Sequence, residues 1–242
     1  MRPVKIRGGS NTPKHEPYPL NEFPETVIQS LAKRIVHLLA VGQADMSGKQ
    51  FERMFADSIS GDSYGQPLGI ADVAWNGLCW SVKTVKARFP HRAKRVRLIS
   101  GRNSPVYSAN ISDPFADIQA TGQSVIDVYN RRIDLAKNQH DKARMLVMVR
   151  NTQAREFTVF EREINEYPVN NFVWKLNGQK NFEAYEDDRH AFTWQPHGSQ
   201  FTILEPVPAS ATRFRIRKTQ VTLEMNQVLH LARFKPDWVE IL

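Results

Sequence analysis

The dipeptide Asn76-Gly77 does most to narrow what this chain can fold into. It sits between Leu68–Trp75 and Leu78–Lys86, two runs rich in strand-forming residues. Asn-Gly between such runs is the strongest short signal for a two-residue β-hairpin turn, because both residues tolerate positive φ. A two-residue turn pairs Trp75 with Leu78, and therefore Asp72 with Ser81. Side chains alternate faces along a strand, so Asp72, Ser81 and Lys83 share one face. Opposed Cβ atoms lie about 5 Å apart and diagonal ones about 7–8 Å. An acid, a hydroxyl and an ammonium are thus expected to converge on one patch. Ile70, Val73, Trp75, Leu78, Trp80, Val82 and Val85 surround it. Placing ions in such a setting costs several kcal/mol each unless they are paired or bind a metal. Two readings follow: an ordinary cross-strand ion pair at a sheet end, or a site whose chemistry needs the charges.

The neighbouring segments fill in a mixed sheet flanked by helices, an α/β or α+β chain. Helical spacing of Val27, Leu31, Ile35, Leu38 and Leu39 predicts a helix over 24–41, stopped by Gly42. Ser47 and Gln50 form a capping-box pattern opening a second helix, with Phe51, Met54, Phe55 and Ile59 as its apolar stripe and Glu52 at the stripe's edge. A third strand is expected at 95–100, a helix at 123–138 and a doubly covered strand at 145–149, with 156–161 pairing beside it. Residues 1–22 read as a flexible basic arm and 23–242 as a single domain, loop-rich beyond 165, with a basic-faced strand at 213–218 and a short helix at 226–232.

Composition excludes several classes. No apolar run is long enough to span a bilayer, and no apolar stretch follows the basic N-terminus, so a soluble, cytoplasmic protein is expected. Cys79 alone makes neither a disulfide framework nor a zinc site, and reads as core. The seven histidines lack metal-ligand spacing, and neither a Walker A pattern nor GxGxxG is present, so no nucleotide cofactor is implied. The five tryptophans read as core. The net charge of +8 suits a polyanionic partner.

Asp72 followed by Ser81-Val82-Lys83 resembles the PD-(D/E)xK nuclease superfamily, in which an Asp opens one strand of a hairpin and an acid-x-Lys triplet lies on the next. Gly48-Lys49-Gln50-Phe51-Glu52 is similar to the family's helical Gly-x-x-x-Glu pattern, twenty residues upstream of Asp72. The order of elements over 48–150 resembles the family's α-β-β-β-α-β core, and the basic charge and long tail look most like an orthodox type II restriction endonuclease. Two departures stand out. Ala71 precedes the Asp where Pro is usual, and Ser81 stands where Asp or Glu is usual, with no acid in 84–112 to replace it.

The resemblance implies a type II site-specific deoxyribonuclease, a Mg²⁺-dependent hydrolase of double-stranded DNA acting as a homodimer. Asp72 would be the central metal ligand, with Glu52 second and the Val82 carbonyl completing the shell. Lys83 would orient the attacking water, and Ser81 would bond a water or the phosphate. Lys86 and Arg88, in a cation-rich stretch running on to Arg97, are expected to meet DNA phosphates, and Arg102 and Asn103 to read bases. Arg131 on the following helix is a weaker DNA contact. The alternatives are a repair or recombination nuclease of the same fold, or a DNA-binding protein without catalysis.

Overall fold

The computed structural model describes residues 16–64, 70–217 and 222–241. Its chain order opens with α1 (Glu25–Ala40), α2 (Gly48–Ile59), β1 (Asp62–Ser63), β2 (Val73–Trp75), β3 (Leu78–Lys86) and β4 (Arg95–Arg102). It continues through α3 (Pro105–Ala109), α4 (Ile118–Lys137), β5 (Lys142–Asn151) and β6 (Glu156–Glu163). Then come β7 (Val173–Leu176), β8 (Phe182–Glu186), β9 (Arg189–Gln195), β10 (Gln200–Pro206), β11 (Thr212–Arg215) and α5 (Met225–Leu231). The fold is mixed α+β, built on two sheets. Among the described residues no helix is long and apolar enough to cross a membrane.

The first sheet has the order β1-β2-β3-β5-β6-β11. Its β3–β5 pair is parallel and the other pairs are antiparallel, so the sheet is mixed. A parallel neighbour needs a crossover, and α4 lies within the one that joins β3 to β5. Met145 to Val149 are fully buried, as a continuous apolar run implies for a strand covered on both faces. Helices α1 and α2 cover one face, where Leu31, Ile35, Phe51 and Phe55 meet Trp80, Val82, Leu146 and Met148. The capping box forms: Gln50 N–H donates to Ser47 Oγ (3.2 Å) and Ser47 N–H to Gln50 Oε1 (2.8 Å). On the other face α4 packs Val125, Ile126, Tyr129 and Ile133 against Cys79, Met145 and Val147. Burial pushes the Cys79 thiol up to about 12, as suits a core residue.

The second sheet, β4-β10-β9-β8-β7, corrects two expectations. The strand foreseen at 95–100 forms, but it pairs with β10 and takes no place beside the hairpin. Its alternation explains this: Val96 and Leu98 are buried while Arg95, Arg97 and Ile99 are exposed, the pattern of an antiparallel strand covered on one face. The region beyond 165 is likewise mostly strand. Its scattered aromatics, Trp174, Phe182, Phe192, Trp194 and Phe201, are this sheet's inner side and join the core under α4. Close packing there needs Gly122, since a Cβ at that point of α4 would lie 2.2 Å from the Trp174 ring.

Residues 16–22, the end of the expected arm, are anchored to the first sheet. Tyr18 is buried and donates its hydroxyl to Glu161 Oε1 (2.9 Å); Asn21 exchanges two bonds with the Glu161 backbone; Glu16 pairs with Arg144 and Lys142. Residues 1–15, residues 65–69 (which include the first two positions of the expected first hairpin strand) and the 218 end of the expected basic strand fall outside the described residues.

Candidate active site

The hairpin has the expected register: Trp75 faces Leu78, Ala74 faces Cys79 and Val73 faces Trp80. Asn76 (φ 49°) and Gly77 (φ 85°) both take positive φ, which matches the right-handed twist of the strands they join. One step past β2, Asp72 N–H donates to Trp80 O (2.8 Å), the residue that Val73 already faces, so the pairing slips by one residue there and the regular ladder ends at Val73. That fixes the Asp72 carboxylate over β3. Its Oδ2 accepts the Val82 N–H at 2.7 Å and lies 3.5 Å from Ser81 Oγ and 3.7 Å from Lys83 Nζ. Asp72 and Lys83 side chains are each 22% exposed, so both ions are largely withdrawn from bulk water yet reachable.

Glu52 joins them from α2. Its side chain is 15% exposed and pairs with Lys49 Nζ at 3.2 Å, one turn back along the helix. Burial and the negative charge of Asp72 raise its pKa above the ordinary carboxylate value, while Lys49 and Lys83 pull the other way. Glu52 thus feels the charges of Asp72 and Lys83, while its direct partner is Lys49. Among the described residues no cluster of three or more His, Cys, Asp or Glu side chains could hold a metal ion. Two carboxylates and a hydroxyl are nevertheless hard oxygen donors. They suit Mg²⁺, which commonly keeps several waters and takes one or two protein carboxylates.

Arg132 is a neighbour that sequence reasoning undervalued. Adjacent Arg131 is exposed, whereas Arg132 turns inward from α4. Burial lowers the pKa of its guanidinium, and the charge of Asp72 opposes that. Its Nη1 donates to Ser100 O (2.9 Å) and Asn103 Oδ1 (3.3 Å), and it fills the space over Gly101, which sits at φ +108°. Arg132 thus ties the loop after β4 to the side of the sheet that carries the acid–amine pair. A lone Arg in an Arg-Arg pair carries no sequence signal for this; only the helical phase, one step from buried Ile133, separates the two.

The expected DNA contacts fare unequally. Asn103 is fully buried and corrects the base-reading assignment. Its amide donates to Val125 O (3.0 Å), its backbone N–H to Ser199 O (2.8 Å), and its carbonyl accepts the Trp194 Nε1–H (2.7 Å). What this loop presents to solvent is Arg102, Val106 and Tyr107, the last 89% exposed. Lys86 is exposed but pairs with Asp45 (2.8 Å), three residues along β3 from Lys83 and so on the opposite face. The guanidiniums of Arg88 and Arg92 lie over the Phe89 ring at 5.2 and 5.5 Å. Lys86 and Arg88 also line a cavity of about 390 Å³ with Arg150, Thr152 and Gln153. Further on, Arg95 and Arg97 leave this group and bond to His190 O and Thr193 Oγ1 on the second sheet.

No protein-family model, curated protein or solved structure matches this chain.

Proposed function

We propose that this chain is a Mg²⁺-dependent, sequence-specific endonuclease of double-stranded DNA, a type II restriction enzyme of the PD-(D/E)xK kind that works as a homodimer. One observation carries the reading: Asp72 and Lys83 stand 3.7 Å apart on one hairpin face, with the Glu52 carboxyl in their field. Hydrolysing a phosphodiester requires a positioned water, relief of charge on the nonbridging oxygens, and a proton for the departing oxygen. Asp72 and Glu52 would hold the Mg²⁺; burial and then the negative charge of Asp72 raise the Glu52 pKa, and a bound cation would offset both. When bound, the ion supplies charge neutralisation at the phosphate.

The residues of the chain supply the rest. The Val82 N–H bond fixes the rotation of the Asp72 carboxylate. Lys83, partly buried beside Asp72, orients the attacking water and donates a hydrogen bond to a nonbridging oxygen. Ser81 holds a water or a phosphate oxygen but brings no charge, so Glu52 stands in for the acid the family has at that position. Cations at Arg88, Arg92, Arg102 and Arg131 would track the backbone, with the steep salt dependence of phosphate contacts.

Ser81 also favours a second reading, a DNA-binding protein whose Asp72–Lys83 pair is only an ion pair. Incubating plasmid DNA with the protein and Mg²⁺ separates the possibilities. Discrete fragments support the proposal, smears or structure-dependent cuts point to a repair nuclease, and a mobility shift without cleavage points to binding alone.

A further inference from the structure

Arg132 differs from the other arginines that turn inward in what it holds. Arg144 pairs with Glu161 at 3.1 Å, Arg150 with Asp45 at 2.9 Å and Arg162 with Glu205 at 3.0 Å. Arg132 forms no salt bridge among the described residues, although its guanidinium bears the desolvation that such a partner offsets. Its two hydrogen bonds, to Ser100 O and Asn103 Oδ1, end on neutral oxygens, and both leave from Nη1. The edge made by Nε–H and Nη2–H, with which Arg150 grips both Asp45 oxygens (2.9 and 3.1 Å), has no partner among the described residues. That fork matches two oxygens of a carboxylate or a phosphate. Ser100, which anchors the guanidinium through its carbonyl, is 4% exposed, and its Oγ likewise has no hydrogen-bond partner among the described residues. A buried hydroxyl left unbonded is costly.

Position selects the anion. Tyr129 and Ile133, neighbours of Arg132 on α4, pack in one cluster with Cys79 and Ala71. Cys79 lies on the strand face that carries Ser81 and Lys83, and Ala71 precedes Asp72. The charge of Asp72 reaches the guanidinium, but the Asp72 carboxylate is itself engaged by the Val82 N–H and Lys83. Lys49, Lys83 and Arg132 outnumber Asp72 and Glu52, so the centre attracts an anion before any metal ion enters. A carboxylate is satisfied by the fork alone, whereas a phosphate keeps oxygens for Lys83 and Ser81 as well.

We infer that Arg132 is a phosphate-binding residue of this centre, its Nε–Nη2 fork bonding nonbridging oxygens of the same phosphate that Lys83 contacts. The inference rests on the reading of Asp72 and Lys83 as a phosphodiester centre. A phosphodiester in DNA and free phosphate offer the same chemistry, so inorganic phosphate probes the site without cleavage. Isothermal titration of the metal-free full chain with phosphate, at constant ionic strength, is the test. The wild type is expected to show a saturable site, and Arg132→Gln to bind about ten- to a hundredfold more weakly, the worth of a charge-assisted bidentate pair. Arg132→Lys keeps the charge without the fork and is expected between the two; it also serves if the Gln variant does not fold. Acetate should bind the wild type at least about tenfold more weakly than phosphate. Wild-type affinity in the variants, acetate binding as tight as phosphate, or no saturable phosphate binding by the wild type would overturn the inference. Single-turnover cleavage in Mg²⁺ separates it from the nuclease reading. Arg132→Gln cutting at the wild-type rate removes Arg132 from the centre and leaves Asp72 and Lys83 in place. A wild type that binds phosphate through Arg132 and never cuts duplex DNA removes the nuclease reading and leaves the phosphate site.

Discussion

Replacing Arg144 by Met should destabilise the protein more as the pH rises. Arg144 Nη1 pairs with Glu161 Oε2 at 3.1 Å, and the Glu161 side chain has no exposed surface. Trp80 Nε1–H (2.6 Å) and the Tyr18 hydroxyl also donate to that carboxylate. Burial raises the Glu161 pKa, against the opposing pull of Arg144 and these donors. Without the guanidinium the carboxyl must take a proton or remain a buried, uncompensated charge. Its folded pKa then rises further above the unfolded value of about 4.3. A raised folded pKa means stability that is present below the unfolded value and is lost as pH climbs through the folded one. The loss runs at about 1.4 kcal/mol per pH unit across that window.

At pH 8 the cost should reach about 3–5 kcal/mol, as for other buried pairs that lose one partner. For a chain of this size that is roughly a 6–20 °C fall in Tm. Near pH 5 most of the difference from wild type should vanish, leaving the smaller loss of the bonds from Arg144 to Glu16 and Tyr18 O. Urea denaturation of both proteins at the two pH values measures this. An equal cost at both, or a cost under about 1 kcal/mol at pH 8, would refute the idea that Arg144 compensates a buried carboxylate.

Gly101→Ala should cost about 1–3 kcal/mol in the same assay, because φ is +108° and the new Cβ would lie 2.4 Å from Arg132 Nη1; wild-type stability would show that the loop is not clamped there. Asp45→Asn should lose about 2 kcal/mol at neutral pH, since Asp45 bonds buried Arg150 at 2.9 and 3.1 Å. Partial burial works against it, but Lys86 and Arg150 hold the Asp45 carboxyl below its ordinary value, so this advantage should fade as pH falls below about 4; a penalty that does not change with pH counts against it. Tyr107→Ala should leave the melting temperature unchanged while weakening duplex binding measured in Ca²⁺, and unchanged affinity would remove the α3 tip from the DNA surface.

The parts of the fold legible in the sequence are those fixed by local pattern. Asn76-Gly77 sets a turn, the turn sets the register, and the register sets the face shared by Asp72, Ser81 and Lys83. Ser47 with Gln50 likewise marks the start of α2, and hence where Glu52 points. What escaped depends on partners far away in the chain. β4 reads as a third strand of the hairpin sheet until β10, about a hundred residues on, claims it. Asn103 reads as a polar loop residue, because nothing near it shows that Val125, Ser199 and Trp194 enclose it. The Tyr18–Glu161 bond spans 143 residues, so the end of the basic arm gives no local sign of being anchored. The second sheet is missed because the aromatic residues of its strands beyond 165 resemble isolated punctuation between polar residues.

The most direct test is single-turnover cleavage of a duplex carrying the recognised site, in Mg²⁺, by the wild type, Asp72→Asn and Lys83→Met. The acid–amine pair predicts that the wild type cuts, and that each variant is slowed at least about a hundredfold while still binding the duplex in Ca²⁺. Either variant cutting at the wild-type rate, or a wild type that binds duplex DNA and never cuts it, would contradict the assignment of this hairpin as a phosphodiester-cleaving centre.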